Sequence, residues 1–128
     1  MSFKKILIVD DEFEIAESIA EFILENYEIQ AEVARDGREA KWKLENTSYF
    51  LLLTDLKMSN FSGINLIQDI QSGKIKQKPV HTWLMSGYVS KEQLSLLTSH
   101  NMTVFQKPID FEFLKNKLDI ILQFQKSA

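Results

Sequence analysis

The chain has 128 residues, a formal charge of −3 at pH 7, 45% apolar and 26% charged residues, and no cysteine. That length suits one domain able to bury about two thirds of its surface, and the composition excludes a disordered chain. The missing thiols exclude disulfide scaffolds, thiolate metal sites and cysteine nucleophiles, and the acidic balance argues against nucleic acid as a partner.

The N-terminus runs through Lys4 and Lys5 into only four strong apolar residues, too few for a signal peptide. No later run approaches the roughly 18 residues of a membrane span, so neither a membrane partner nor an export route is expected, and the location expected is cytoplasmic. Ile6-Leu7-Ile8-Val9 reads as a strand buried on both faces. Residues 13–26 follow as a helix with Ile15, Ile19, Phe22 and Ile23 inward and Glu14, Glu17, Glu21 and Glu25 on a solvated face. Glu28 to Ala34 alternates strictly and predicts an edge strand. Residues 38–46 predict a short helix with Ala40 and Leu44 inward; Trp42 and Trp83 are expected in the packing. Residues 50–54 predict a buried strand, 64–71 a helix, 80–85 a strand, and 90–100 a helix ending at Asn101. A short strand at 102–106 and a helix at 111–125, capped by Asp110, complete the pattern.

Five strands alternating with five helices, (βα)5, predict an α/β fold: a doubly wound parallel five-stranded sheet. The two fully apolar runs belong in the middle and the alternating run outside, which the flavodoxin-like order 2-1-3-4-5 satisfies.

Ligands of such sheets bind at the carboxyl ends of the strands. Asp10 and Asp11 follow the first strand, Asp55 the third, Ser86-Gly87 the fourth and Lys107-Pro108 the fifth. Three carboxylates side by side call for a compensating cation, and oxygen ligands favour Mg²⁺. An ammonium and a hydroxyl alongside would face an anion, a combination suited to phosphoryl chemistry on a carboxylate oxygen. Each piece also has a plainer reading. Asp11 with Glu14 fits a helix-capping box, Ser86-Gly87 fits a turn, and Lys107 fits a solvated lysine before a helix. His81 and His100 are isolated, and His81 suits a packed or edge position. No phosphate-binding glycine loop, zinc motif or nucleophile elbow is present.

These residues resemble the receiver domain of bacterial response regulators, the CheY-like family of two-component signalling. The resemblance rests on Ile6 to Glu12, on Asp55-Leu56-Lys57-Met58 with Gly63 downstream, on Ser86-Gly87-Tyr88 and on Lys107-Pro108, and spans essentially the whole chain. It implies that Asp55 accepts a phosphoryl group from a phosphohistidine of a sensor histidine kinase or phosphotransfer protein. Asp10, Asp11, Asp55 and the backbone carbonyl of Lys57 would hold Mg²⁺, Lys107 would pair with phosphoryl oxygens, and the Ser86 hydroxyl would swing in. The fourth helix, fifth strand and last helix would then shift to meet a downstream protein target. Such a domain is a switch or relay that catalyses only its own phosphorylation and dephosphorylation. Residues 1–128 are expected to form one stand-alone receiver without an output domain.

Three departures stand out. Ser59 replaces the usual proline, the stretch from Pro79 to Ser86 is about two residues longer than usual for the family, and Val104 replaces the aromatic expected three residues before the lysine. Phe105 should then face the opposite side of its strand. On the last helix Phe111, Leu114, Leu118, Ile121 and Leu122 form the expected core arc, while Phe113, Ile120 and Phe124 form a second stripe. That stripe fits either folding onto neighbouring segments or a partner surface, including a homodimer through the last helix. Three alternatives remain. A haloacid-dehalogenase-like phosphatase would want D-x-D where Asp10 and Asp11 are adjacent, and a flavodoxin-like FMN binder would want a phosphate loop after the first strand. A receiver-like adaptor that is never phosphorylated would not need the acid set.

Overall fold

The computed structural model describes residues 4–58, 63–88, 90–92, 95 and 102–122. The elements are β1 (Lys5–Val9), α1 (Phe13–Asn26), β2 (Gln30–Ala34), α2 (Gly37–Asn46), β3 (Leu51–Asp55), α3 (Gly63–Gln71), β4 (His81–Ser86), β5 (Thr103–Gln106) and α4 (Phe111–Ile121). All strand pairs are parallel and the order is β2-β1-β3-β4-β5, as expected. The helix expected over 90–100 lies mostly outside the described residues, as do Ser59, Asn101 and Phe124; Lys91, Glu92 and Ser95 have helical backbone. Among the described residues no helix is long and apolar enough to cross a membrane.

Alternate strand residues feed buried clusters on the two faces of the sheet. Ile6, Ile8, Leu51, Leu53, Trp83, Met85 and Phe105 lie beneath α1 and α4 with Ile19, Ile23, Leu114 and Leu118. Leu7, Val9 and Leu52 lie beneath α2 and α3 with Ala40, Leu44, Leu66 and Ile70. Each fully buried aliphatic side chain contributes about 1.5–3 kcal/mol. The central strands therefore need apolar residues at every position, whereas edge strand β2 sends Ala31 and Val33 inward. Its Glu32 turns to the other face, where it accepts from Tyr49 Oη at 2.8 Å and lies 3.7 and 3.6 Å from Lys5 and Lys43.

Helix ends follow local chemistry. The Asp36 side chain accepts from the Glu39 N–H at 2.8 Å, and Asp110 Oδ1 accepts from the N–H groups of Glu112 and Phe113. The helix start suggested at Asp11 falls one residue later. The N-cap of α1 is Glu12, which has no side-chain cap bond.

Two packing expectations are corrected. Trp42 is 64% exposed on α2, because Ala40 and Leu44 already define the inward face. Phe111 is 36% exposed at the first position of α4; its ring meets Phe22 at 5.0 Å instead of entering the core. β4 begins at His81, whose ring packs edge-on against Phe50 at 5.0 Å.

Candidate functional site

In a parallel sheet every strand ends at the same edge, so groups distant in sequence become neighbours. Asp10 follows β1, Asp55 closes β3 and Lys107 follows β5. Asp10 is fully buried and Asp55 nearly so, while Asp11 is exposed at the rim. One carboxylate oxygen from each of the three lies within 4.8 Å of the others. Lys107 Nζ reaches in to 2.8 Å from Asp10 Oδ2 and 3.0 Å from Asp55 Oδ2. These four expected residues do come together.

Local hydrogen bonds fix the geometry. Asp10 Oδ1 accepts from the Glu12 N–H at 2.9 Å, holding the carboxylate at the start of α1. The Asp10 N–H donates to Ala34, and the Leu56 N–H to Met85, which ties the strand ends together. Gly63 opens α3 against β3: its N–H donates to the Leu56 carbonyl at 2.9 Å. A Cβ at Gly63 would lie 2.2 Å from the Asp55 carbonyl oxygen. Lys107 and Pro108 are joined by a cis peptide bond.

Burial raises the pKa of Asp55 above the ordinary carboxylate value. The hydrogen bond from Lys107 works against that shift and the charge of Asp10 adds to it. Burial lowers the pKa of Lys107, but its ion pairs with Asp10 and Asp55, and the hydrogen bond it donates to Asp55, outweigh that and hold the ammonium above its usual value. Asp10 Oδ2 has no hydrogen-bond donor: the Lys107 ammonium is close enough for an ion pair but lies outside hydrogen-bond geometry. A buried oxygen left to cations alone, in a trio whose negative charge exceeds its one close ammonium, fits a divalent hard cation.

Two expected members sit differently. The Ser86 hydroxyl donates to the Tyr88 carbonyl at 2.6 Å and accepts from the Tyr88 N–H at 3.2 Å, so it is engaged in its own turn. Lys57 lies at the rim, where its N–H makes a long 3.4 Å contact with Asp55 Oδ1. Phe113 and Ile120 are exposed on α4, at 42% and 68%. Glu12 is a member that sequence reasoning missed, with Oε1 lying 3.4 Å from Lys107 Nζ. Its only signal was adjacency to the acidic pair.

A doubly wound sheet with an acidic trio and a lysine at its carboxyl edge defines an α/β domain with an acidic pocket. The chain belongs to the response regulator receiver domain family, whose model matches residues 6–119. Receiver domains of this family are signalling domains. The chain is 31% identical over 126 residues to the response regulator protein PilR of Pseudomonas aeruginosa, covering 98% of this chain and 27% of PilR. It spans less than half the length of such curated relatives, 47% of an uncharacterized response regulatory protein of Staphylococcus epidermidis. The receiver domain of Francisella response regulator 1452 is 27% identical with a TM-score of 0.79, covering 96% of this chain and 99% of that one. The response regulator protein TrrA of Thermotoga maritima, solved in complex with Mg(2+)-BeF, is 29% identical with a TM-score of 0.76 and covers 93% and 99%.

Proposed function

We propose that this receiver is a phosphorylatable switch or relay in which Asp55 accepts a phosphoryl group from a phosphohistidine of a sensor kinase or phosphotransfer protein. The observation that carries this reading is the buried Asp55 carboxylate, 3.0 Å from Lys107 and grouped with Asp10 and Asp11. A carboxylate oxygen of Asp55 forms the new bond to phosphorus as the phosphorus–nitrogen bond breaks. The electron pair leaves on the imidazole nitrogen, which takes up a proton, and Asp55 becomes an acyl phosphate. Asp10, Asp11, Asp55 and the Lys57 carbonyl are the oxygens that would hold Mg²⁺, and bound Mg²⁺ supplies positive charge against the carboxylates and phosphoryl oxygens. The Thermotoga maritima neighbour, in complex with Mg(2+)-BeF, supports this set.

Lys107 already carries its charge at the site and turns from the carboxylates toward the phosphoryl oxygens. The Ser86 hydroxyl exchanges its two bonds to Tyr88 for a charge-assisted bond to the phosphoryl group. The loop after β4 then moves, and with it the surface around β5 and α4, where Phe113 and Ile120 would meet a protein target or a second copy. The domain is consumed and restored rather than turning over. We read residues 1–128 as a single receiver domain.

The test is incubation with a small phosphoryl donor and Mg²⁺, followed by intact mass. The wild type should gain one phosphoryl group, and Asp55→Asn, or the wild type in EDTA, none. An unchanged wild-type mass, or an equal gain in Asp55→Asn, would overturn the assignment.

A further inference from the structure

The receiver chemistry leaves unused two exposed faces on opposite sides of the sheet. On α2, at about 100° per residue, Arg38, Lys41, Trp42 and Glu45 fall within one arc roughly 100° wide. Beside it Lys41, Glu45, Lys74 and Lys76 line an open groove of about 440 Å³. Asp69 is shared between Lys41 at 3.7 Å and Lys74 at 3.8 Å, so one carboxylate serves two ammonium groups. Lys76 and the exposed Lys78 form no ion pair among the described residues. The result is a cationic groove beside a 64% exposed indole.

The opposite face is its complement. Glu14, Glu17, Glu21 and Glu25 are exposed along α1, and none has an ion-pair partner among the described residues. Leu24, 53% exposed, shares their arc. An anionic ridge with one apolar anchor thus matches a cationic groove with one aromatic anchor. Glu45 and Asp69 interrupt the cations of the groove, which suits a protein ridge better than the uninterrupted phosphates of a nucleic acid.

We propose that these faces are the two halves of a head-to-tail contact between copies of this chain. The Glu17, Glu21, Leu24 and Glu25 ridge of one copy seats on Trp42 and the Lys41, Lys74 and Lys76 groove of the next. α1 packs on one core and α2 on the other, so each molecule presents both halves at once. Such a contact is heterologous and does not close on itself as a two-fold dimer does. Exposed ion pairs are individually weak and screened by salt, so the association is transient, concentration-dependent and salt-sensitive.

Sedimentation velocity of the full chain tests this at about 10 mM salt, where the screening length is roughly 30 Å, and at about 1 M, where it is roughly 3 Å. The weight-average coefficient should climb with protein concentration at low salt and return to the monomer value at high salt. A groove variant, Trp42→Ala with Lys76→Gln, and a ridge variant, Leu24→Ala with Glu21→Gln, should each stay monomeric while melting like the wild type. Mixed in equal amounts, they should form a heterodimer and nothing larger, because each keeps one intact half. A wild type monomeric at every concentration, association that survives either variant, or a mixture that fails to pair would overturn the proposal.

Discussion

Gly63→Ala sets two elementary effects against each other. Helix propensity alone says the change stabilises, by at most about 1 kcal/mol, because alanine loses less backbone entropy than glycine. Packing says the reverse. The new methyl carbon would stand 2.2 Å from the Asp55 carbonyl oxygen and 3.0 Å from both the Asp55 carbonyl carbon and Leu56 Cα, all of them backbone. The first contact is roughly 1 Å inside ordinary van der Waals distance. No flexible side chain can yield, so α3 or the end of β3 must move, and the 2.9 Å bond from the Gly63 N–H to Leu56 goes with it. Overpacking of this kind costs about 1–3 kcal/mol, and rigid neighbours on both sides place it at the upper end. After the propensity gain a net loss of about 2 kcal/mol remains, or roughly 8 °C in melting temperature for a chain of this size. The displaced atom belongs to Asp55 itself. A shift of that order at a reacting group can lower the rate about 100-fold, so phosphoryl uptake should fall with stability. Urea unfolding and intact-mass time courses measure the two effects separately. A variant as stable as the wild type, with unchanged uptake, would show that the close approach of α3 to β3 has been misread.

Asp55→Asn should raise the melting temperature of the metal-free protein at pH 7 and leave it unchanged near pH 3. The raised pKa means that the folded state holds this proton more tightly than the unfolded one. That contribution is full below about pH 4 and is lost as pH rises through the folded value, so the ionised group is a burden at neutral pH. A lower melting point for the variant at pH 7 would contradict this. Lys107→Met removes the cation from two buried carboxylates and should destabilise by about 3 kcal/mol in EDTA, less at acid pH where Asp55 takes up a proton. Urea midpoints at two pH values would decide it, and equal losses at both would count against the charge argument. Mg²⁺ at ten times its dissociation constant should add about 1.4 kcal/mol to the wild type. Thermal melts should show that gain vanish in Asp11→Asn, and a gain that persists would remove Asp11 from the ligand set.

What could be read from sequence followed from periodicity and from the common edge of a parallel sheet. Ile6 to Val9 and Leu51 to Leu53 are apolar at every position because both of their faces are covered, and Glu28 to Ala34 alternates because β2 is an edge. Once the strands are parallel, Asp10, Asp55 and Lys107 must share a rim. Contacts that depend on side-chain reach were not legible. Glu12 meets Lys107 across 95 positions, and nothing local announces that pairing. The Ser86 hydroxyl is held by the turn that follows it, a matter of loop geometry rather than residue type. Trp42 was misjudged through its identity. It lies about 200° around the helix from Ala40, so spacing already sent it outward while its apolar area argued inward.

Val104 and Phe105 narrow how Asp55 can act on the surface. As alternation requires, Val104 packs toward Leu56, Ile67 and Leu84, while Phe105 enters the core beneath α1 and α4. Phe105 is 1% exposed, with the rings of Trp83 and Phe113 each 5.2 Å away. Withdrawing it would open a cavity costing about 3–5 kcal/mol, more than the roughly 1.5–3 kcal/mol that one hydrogen bond to a charged group contributes. Val104 has no ring to turn. On the proposed reading the segment that would respond first is Gly87-Tyr88. Tyr88 is 71% exposed, and its backbone is held by the same Ser86 hydroxyl that the phosphoryl group would claim. The Lys107 N–H donates to the Ser86 carbonyl at 2.9 Å and anchors the end of β4. On the proposed reading, release of the hydroxyl would displace the loop beyond β4 while this bond holds the strand end.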